Sequence, residues 1–155
     1  MTETQGIEVT AELVYEDPEA ALAWLSSAFG FETRMLVRDP TQRIVFAEAG
    51  LGEHTVSIGP ERPSIRSPKN AGGATQSVQI RFSEDVDAHC ARARAAGATI
   101  LREPDLFFFG DRSYEVADHE GHVWSFNQRM PGTGGPPPPG WTVTFPSRDR
   151  CPDSI

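Results

Sequence analysis

The chain contains few of the features that would place it outside the ordinary globular class. It has two cysteines, Cys90 and Cys151, too few for the disulfide framework of a small secreted protein. No apolar run approaches the length of a membrane span, and Met1–Gly6 is polar, so neither a membrane helix nor a signal peptide is expected. These absences predict a cytoplasmic protein.

Basic residues are also in deficit. The sequence has 14 basic and 22 acidic residues, a formal net charge of −8, and no basic stripe. This balance argues against nucleic acids and anionic membranes as partners. The length of 155 residues, with 38% hydrophobic and 23% charged residues, suits one domain that can bury a core.

The most informative stretch is Gly110–Asn127, which predicts a β-hairpin. Residues 112–117 and 122–127 each alternate in character, as half-buried strands do. Between them, Asp118–Gly121 is typical of a turn, because Asp accepts backbone hydrogen bonds and Gly adopts positive φ.

Two patterns recur along the chain at one spacing. His54–Ile58 and His122–Phe126 share the order His, any residue, apolar, Ser, apolar, and the offset, 122 − 54, is 68. Asp17–Ala21 and Asp85–His89 each open an amphipathic stretch that ends in Gly, again 68 residues apart (85 − 17). Two anchors at one offset indicate an internal duplication.

Local patterns divide the chain into two βαβββ modules within one domain, residues 1–130. Asp17 is a helix cap with Pro18 at the first position, and Gly30 ends that helix. The expected elements of module one (7–59) are strands 7–15, 31–38, 43–49 and 54–59 and the helix opened by Asp17. Those of module two (76–128) are strand 76–82, helix 85–96, strand 98–102 and the hairpin. Residues 60–75 are the expected linker, rich in Pro, Gly and Ser.

Residues 131–155 form a separate C-terminal extension. Pro131–Gly140 is a linker that is stiff in its polyproline part, and Trp141–Phe145 alternates as an added edge strand would. We expect the extension to pack on its own domain or to reach a dimer partner; a loosely attached tail is the alternative. Cys151 has no clear role.

In its modules and its hairpin turn, the chain resembles the vicinal oxygen chelate superfamily, which includes glyoxalase I, bleomycin-resistance proteins and extradiol dioxygenases. The resemblance covers residues 7–128 and is carried by the βαβββ repeat and by Asp118–Trp124, an Asp-x-x-Gly-His-x-Trp turn. It implies an α+β fold in which two tandem βαβββ modules form a curled mixed sheet around a cavity. It also implies a homodimer.

Members of that family with oxygen chemistry hold a divalent ion with His and Glu side chains on four cavity strands. Carried onto this sequence, the family's ligand positions fall on Ser125, near Ser57, near Thr10, and on Ser77 or Val78. None is an imidazole or carboxylate, the donors that hold such ions. We therefore expect no metal and no other cofactor, unless Glu12 and Glu48 build an atypical site with a His.

The histidines favour structural roles. His119 and His122 bracket Glu120-Gly121, but they lie on a hairpin turn and not one helical turn apart as in a metalloprotease. By strand parity His122 points to the packed side, opposite Ser125, and both His122 and His54 are interpreted as structural turn histidines. His89 and Cys90 are adjacent on a helix and diverge by about 100°, so Cys90 is interpreted as a small buried residue.

Several side chains are candidates for a ligand-binding cavity. Arg81 inside a sheet needs a partner, either Glu12 or Glu48, or else a ligand carboxylate or phosphonate, unless it lies at a solvated strand end. At least one of Phe107–Phe109 lines a pocket or an interface, or else the segment bulges into the core. Tyr114 either bonds a ligand or is a half-buried sheet residue. The complete set of candidates is Glu12, Glu48, Ser57, Arg81, Phe108, Tyr114 and Ser125.

Two functions remain open. The first is a metal-free binding protein that holds a small hydrophobic or aromatic ligand between its modules, as drug-sequestering relatives do. The second is a lyase or dioxygenase with an atypical metal site, or a metal-free isomerase with Glu12 as base. Ser57 and Ser125 have no His-Asp relay, so nucleophilic catalysis lacks support. The binding protein is the favoured interpretation.

Overall fold

A computed structural model describes residues 6–146, which form two four-stranded sheets and three helices. The elements of the first module are β1 (Glu12–Tyr15), α1 (Pro18–Phe29), β2 (Glu32–Arg38), β3 (Ile44–Leu51) and β4 (His54–Pro60). A short helix, α2 (Pro68–Ala71), lies between the modules. Those of the second are β5 (Ser77–Phe82), α3 (Val86–Ala95), β6 (Thr99–Leu106), β7 (Asp111–Ala117) and β8 (Val123–Arg129).

The two sheets have the same connectivity. Their strand orders are β1-β4-β3-β2 and β5-β8-β7-β6, and in each the first strand pairs in parallel with the last. The other neighbours pair antiparallel, so both sheets are mixed. The predicted α+β fold with two βαβββ modules is confirmed.

Both long helices begin and end as their sequences predict. The Asp17 carboxylate accepts a hydrogen bond from the Ala20 amide at 3.1 Å, and Gly30 ends α1 with a left-handed φ of 81°. Asp85 caps α3 in the same way, accepting from two amides of its first turn. A side-chain acceptor at the N-cap satisfies amides that have no partner within the helix.

The hairpin turn also follows its sequence. The Gly121 amide donates to the Asp118 carbonyl at 3.0 Å with φ of 93°, and the Asp118 carboxylate accepts from the amides of Glu120 and His122 at 3.0 Å. This turn closes β7 onto β8 in the register Ala117 opposite Val123.

Three predicted boundaries were wrong. Strand β1 begins only at Glu12, and the preceding Ile7 and Val9 are 82% and 93% exposed, so alternation alone did not make them a strand. Strand β6 continues to Leu106 because it stays paired with β7 up to Arg112. Residues 141–145 form no strand and are exposed, although the Gly135 amide ties the preceding segment to the domain by donating to the Phe108 carbonyl. Cys151 lies outside the described residues.

One hydrophobic core is shared by both modules. The ring of Phe29, from α1, lies 4.8 Å from that of Phe126 and 5.5 Å from that of Trp124, both on β8. The two helices also touch, since the Trp24 indole N–H donates to the Ala96 carbonyl at 3.1 Å. Each sheet therefore turns one face toward this common core, and its opposite face, here called the open face, points away.

The hairpin turn locks the modules together through two buried carboxylates, which we call the Asp118–Glu120 clasp. Glu120 accepts hydrogen bonds from the amides of Glu16 and Asp17 at 2.7 and 3.2 Å, and from the Ser67 hydroxyl at 2.6 Å. Asp118 accepts from the hydroxyl of Tyr15 at 2.6 Å. Each hydrogen bond that the Glu120 carboxylate accepts crosses from module two to module one or to the linker.

Among residues 6–146 the structure contains no helix long and apolar enough to cross a bilayer.

Candidate ligand-binding site

A cavity of about 830 Å³ lies on the open face of the second sheet. Its floor is polar and comes from β5–β8, and its rim is aromatic and comes from residues 107–109 and the tail. The floor side chains are Gln79, Arg81, Arg102, Glu115, Ser125 and Asn127.

Strand pairing sets the middle of the floor. Ser125 on β8 lies opposite Gln79 on β5 and opposite Glu115 on β7, and Glu115 lies opposite Arg102 on β6. Residues directly opposite one another in a sheet point to the same face. Register therefore places these four side chains in one row across the floor.

The first sheet carries the equivalent row. Ser57 pairs with Glu12 and with Glu48, and Glu48 pairs with Met35. Each of these residues stands 67 or 68 positions before its counterpart in the second sheet. The duplication has thus kept a serine and a glutamate at matching places on two open faces.

A buried carboxylate organises one edge of the floor. Asp111 is 1% exposed, and its two oxygens accept from Arg81 at 2.7 Å and from Arg129 at 3.3 Å. Two guanidinium groups therefore compensate one buried charge, which would otherwise be strongly destabilising. This pairing holds Arg81 beside the cavity.

Arg102 links the floor to the rim. Its guanidinium donates to the carbonyl and hydroxyl oxygens of Ser113 at 2.9 and 3.2 Å, and lies 4.7 Å from the ring centre of Phe107. Cation–π contact and hydrogen bonding together fix this side chain.

The rim is an aromatic loop. Phe107 and Phe109 stack with centroids 5.4 Å apart and an interplanar angle of 9°, while Phe108 meets Phe109 edge-on at 5.3 Å. Arg129 donates to the Phe109 carbonyl at 3.0 Å and so ties the loop to β8. All three rings line the cavity, which the sequence had left open between a pocket and the core.

Three of the predicted cavity residues meet here. Arg81, Phe108 and Ser125 all line the cavity on the second sheet. The expected partner of Arg81 was wrong, because Asp111 holds it and Glu12 and Glu48 do not.

The other candidates lie elsewhere. Glu12, Glu48 and Ser57 share the open face of the first sheet, where Arg62 forms a two-fold hydrogen-bonded pair with Glu12 at 2.9 Å. That hydrogen bond lowers the pKa of the Glu12 carboxyl, so Glu12 is ionised and engaged.

Tyr114 is not at the cavity. It is fully buried on the packed face, its hydroxyl lies 2.6 Å from Nδ1 of His89, and burial raises its pKa well above the ordinary value. The physical reason is register: Tyr114 lies opposite Phe126, a core residue, so both point away from the floor.

The histidines take structural places. His122 is buried, as strand parity predicted, with Nε2 2.7 Å from the Val14 carbonyl, and His54 is exposed at the start of β4. His89 lies in the core, and Cys90 beside it is 3% exposed.

The sequence interpretation missed most of the floor. Gln79, Arg102, Glu115 and Asn127 were not singled out. Asn127 follows from the two-residue alternation that put Ser125 on the open face, and Glu115 follows from the hairpin register that pairs it with Ser125. Pro138 and Trp141 of the tail also line the cavity, and no sequence pattern indicated where the tail would lie.

The donor set does not fit the divalent ion of the family's enzymes. The positions carried over from the resemblance hold hydroxyl or apolar side chains, and residues 6–146 bring no three His, Cys, Asp or Glu side chains together in a geometry that could hold a metal. The atypical site considered above also lacks its imidazole, because His89 and His122 point into the packed side.

A second hollow, of about 450 Å³, lies where α1 begins and is lined by several carboxylates. Its acids are already engaged: Glu19 pairs with Arg38 at 2.8 Å, and Glu16 bonds Asn70 at 2.6 Å. The cavity of the second sheet is therefore the better candidate for a ligand site.

Comparison with known proteins agrees with this architecture. An uncharacterized protein of Mycobacterium bovis is 29% identical over 125 residues, which cover 77% of this chain and 82% of the relative. TioX from Micromonospora sp. ML1 superposes with a TM-score of 0.61 at 30% identity, covering 81% of this chain and all of TioX. The fosfomycin resistance protein FosX from Mesorhizobium loti, at 16% identity and TM-score 0.59, covers 81% of this chain and 94% of its own and shares the fold.

The family match spans most of the chain. The model of the Glyoxalase/Bleomycin resistance protein/Dioxygenase superfamily matches residues 7–126. This range contains both βαβββ modules up to β8. The chain belongs to the Glyoxalase/Bleomycin resistance protein/Dioxygenase superfamily.

Proposed function

We propose that this protein is a metal-free binding protein that holds a small aromatic molecule on the open face of its second sheet. The observation that carries the proposal is the cavity itself, in which an aromatic rim faces a hydrogen-bonding floor. Small-molecule sites are commonly apolar concavities with a few placed polar groups. Here the polar groups are held in place by Asp111 and Ser113 before any ligand arrives.

Binding, rather than chemistry, is favoured by the state of the polar groups. The negative charge of Glu12 is compensated by Arg62, and that of Asp111 by two arginines. Ser125 has no imidazole beside it, since His89 and His122 belong to the packed side. A general base or nucleophile needs a free and activated group. A role in sequestering a compound agrees with a superfamily whose description includes bleomycin resistance proteins.

A second copy of the chain would supply the opposite wall. The residues that line the cavity come from the second module and the tail of one chain, among the residues that the structure describes. The open face of the first sheet exposes Met35 and Val37, which are 40% and 42% exposed. We infer a homodimer in which this face covers the cavity of the partner.

The proposal is tested by a ligand screen on protein purified without chelator. Compounds with one or two aromatic rings should raise the melting temperature by several degrees at about 100 times Kd, because such occupancy adds about 2.7 kcal/mol to the free energy of unfolding. Ser125→Phe, which fills the floor, should abolish the shift, whereas His54→Phe, at an exposed strand start, should leave it unchanged.

Elemental analysis of the same sample should find no stoichiometric transition metal. One equivalent of metal, removed by chelator with a fall in melting temperature, would overturn the metal-free assignment. A screen in which no aromatic compound shifts the melting temperature, or in which both variants respond like the parent, would overturn the binding site.

A further inference from the structure

The tail contributes to the cavity through residues 131–141, here called the strap. The Gly135 amide donates to the Phe108 carbonyl at 2.7 Å, and the Met130 amide donates to the Gly110 carbonyl at 2.8 Å. These bonds fasten the start of the strap to the aromatic loop. The strap lies beyond residue 126, where the family match ends.

The sequence of the strap determines the path of its backbone. Pro136–Pro139 is stiff and carries the chain about 3.1 Å per residue if extended. A turn follows, in which the Trp141 amide donates to the Pro138 carbonyl at 3.0 Å and Gly140 adopts φ of 83°. Pro at the second position and a positive-φ Gly at the third are typical of a type II turn. Trp141 is thus delivered by a rigid segment rather than by a free end.

Trp141 stands at the cavity with much of its ring uncovered. Its ring meets that of Phe108 at right angles with centroids 6.3 Å apart, yet its relative exposure is 64%. A large aromatic side chain beside a concave site, with a free face, gains contact area when a flat molecule stacks on it. Phe108 and Trp141 therefore form a right-angled corner of the cavity.

The floor beside this aromatic corner favours an uncharged ligand. Asp111 pairs with both Arg81 and Arg129, and Arg102 lies opposite Glu115 in the strand register. With Asp105, three acidic side chains therefore stand beside three basic ones. These formal charges sum to zero and so give no net attraction for a charged ligand, whereas an amide or hydroxyl can bond Ser125 and Asn127.

We infer that Trp141 is a ligand-contacting residue and that the strap makes the site selective for flat, uncharged aromatic molecules that carry a hydrogen-bonding group. The inference rests on the proposed function and names the class of ligand. It assigns to the tail the role of one wall of the site.

The test uses 2-naphthamide and its saturated counterpart, decahydronaphthalene-2-carboxamide, on the full chain. The two probes share the amide and the carbon skeleton, and only the first is flat and aromatic. The three tryptophans give three indole N–H signals in a ¹H–¹⁵N spectrum, and Trp141→Phe identifies the one from the strap. We expect 2-naphthamide to shift that signal and to bind at least several-fold more tightly than the saturated amide.

Variants distinguish a direct contact of Trp141 with the probe from a purely structural role of the strap. Trp141→Ala should weaken 2-naphthamide binding by about three- to ten-fold, and Trp141→Phe should recover part of the loss. Phe145→Ala removes another exposed ring of the same tail that does not line the cavity, and it should bind like the parent. The melting temperature of each variant, measured without probe, checks that the domain is intact.

The outcomes distinguish the two proposals. Equal affinity of the parent and Trp141→Ala, or equal affinity for the flat and saturated amides, would overturn the role of the strap and leave the binding function standing. Failure of Ser125→Phe to block a probe that binds would overturn the site itself. Absence of binding by every aromatic compound of the screen would overturn both.

Discussion

At the scale of single residues, the packed face of the second sheet contains specific polar contacts, as its open face does. Tyr114 and His89 form a buried pair in which the hydroxyl donates to Nδ1 at 2.6 Å and Nε2–H faces the Phe29 carbonyl at 3.3 Å. Neutral imidazole satisfies both contacts. Burial lowers the pKa of His89 below its ordinary value, since the charged form would lose its hydration.

This pair predicts a pH dependence of stability. The pKa of His89 is lowered in the folded state. As the pH falls below about 6.5, the imidazole of His89 therefore binds a proton in the unfolded chain but not in the folded one. The free energy of unfolding should therefore fall from pH 7.5 toward pH 5.5. Urea titrations at several pH values measure this slope.

The matched variant is His89→Gln, which should be less stable at pH 7.5 but have a shallower slope over the same window. Glu12 and Asp87, whose pKa values are lowered by their arginine partners, titrate at lower pH and leave this window unaffected. An unchanged slope in His89→Gln would contradict the assignment to His89.

The position of Tyr114 was open to prediction from the hairpin alone. A turn at Asp118–Gly121 sets Ala117 opposite Val123, and counting back places Tyr114 opposite Phe126. Parity already put Phe126 on the packed side, so register would have put Tyr114 there too. Arg81 was different, because its partner Asp111 lies on β7, two strands away, and no local pattern couples them.

At the scale of elements, the turn between β7 and β8 connects more than its own strands. Its two carboxylates close the Asp118–Glu120 clasp onto the start of α1 and onto the linker. A carboxylate at that place also complements the positive end of the helix dipole. The turn geometry was predictable from Asp and Gly, whereas its tertiary role was not.

The clasp predicts a large difference between two glutamates. Glu120→Ala should lower the free energy of unfolding by about 2–4 kcal/mol, since the buried Ser67 hydroxyl and two part-buried amides lose their acceptor. Glu115→Ala, on the open floor, should change it by no more than about 0.5 kcal/mol. Denaturant titration of both variants measures the difference, and similar values would show that the clasp does not stabilise the domain.

The predicted element boundaries were wrong where pairing with a neighbouring strand, rather than the local sequence pattern, sets the limits of a strand. Ile7 and Val9 alternate as a strand does but remain exposed, while β6 extends as far as its pairing with β7. Residues 141–145 also alternate, yet the tail is fastened by its Gly135 amide to the aromatic loop and not by strand pairing.

At the scale of the whole molecule, the duplication explains the symmetry of the two sheets but not the difference in their faces. The sequence repeat predicted equal modules, and both sheets have equal strand order. The cavity was expected between two modules, of one chain or of two chains, and within this chain it is lined by the second module and the tail. The reason is that both modules bury their helix-covered faces in one common core.

This arrangement predicts that the open face of the first sheet is covered in solution by a second chain. Met35→Glu combined with Val37→Glu should convert a dimer into a monomer, because the two added charges replace the apolar part of this face and would be buried without partners. Analytical ultracentrifugation measures the mass. Ile7→Glu, at a residue 82% exposed and outside both sheets, is the control and should remain dimeric. A monomeric parent protein would contradict the homodimer.

The clasp has a consequence for how the chain is made. Tyr15 and Asp118 are separated by 103 positions, so module one emerges from the ribosome well before its buried partners in module two are synthesised. Domains of newly made proteins fold as they emerge, and uncovered apolar surface promotes aggregation meanwhile. We expect the side chains of Tyr15 and Phe29 to remain exposed to solvent until β8 is synthesised. Truncated chains that stop before residue 118 would then be retained by chaperones, while the finished chain folds and leaves them.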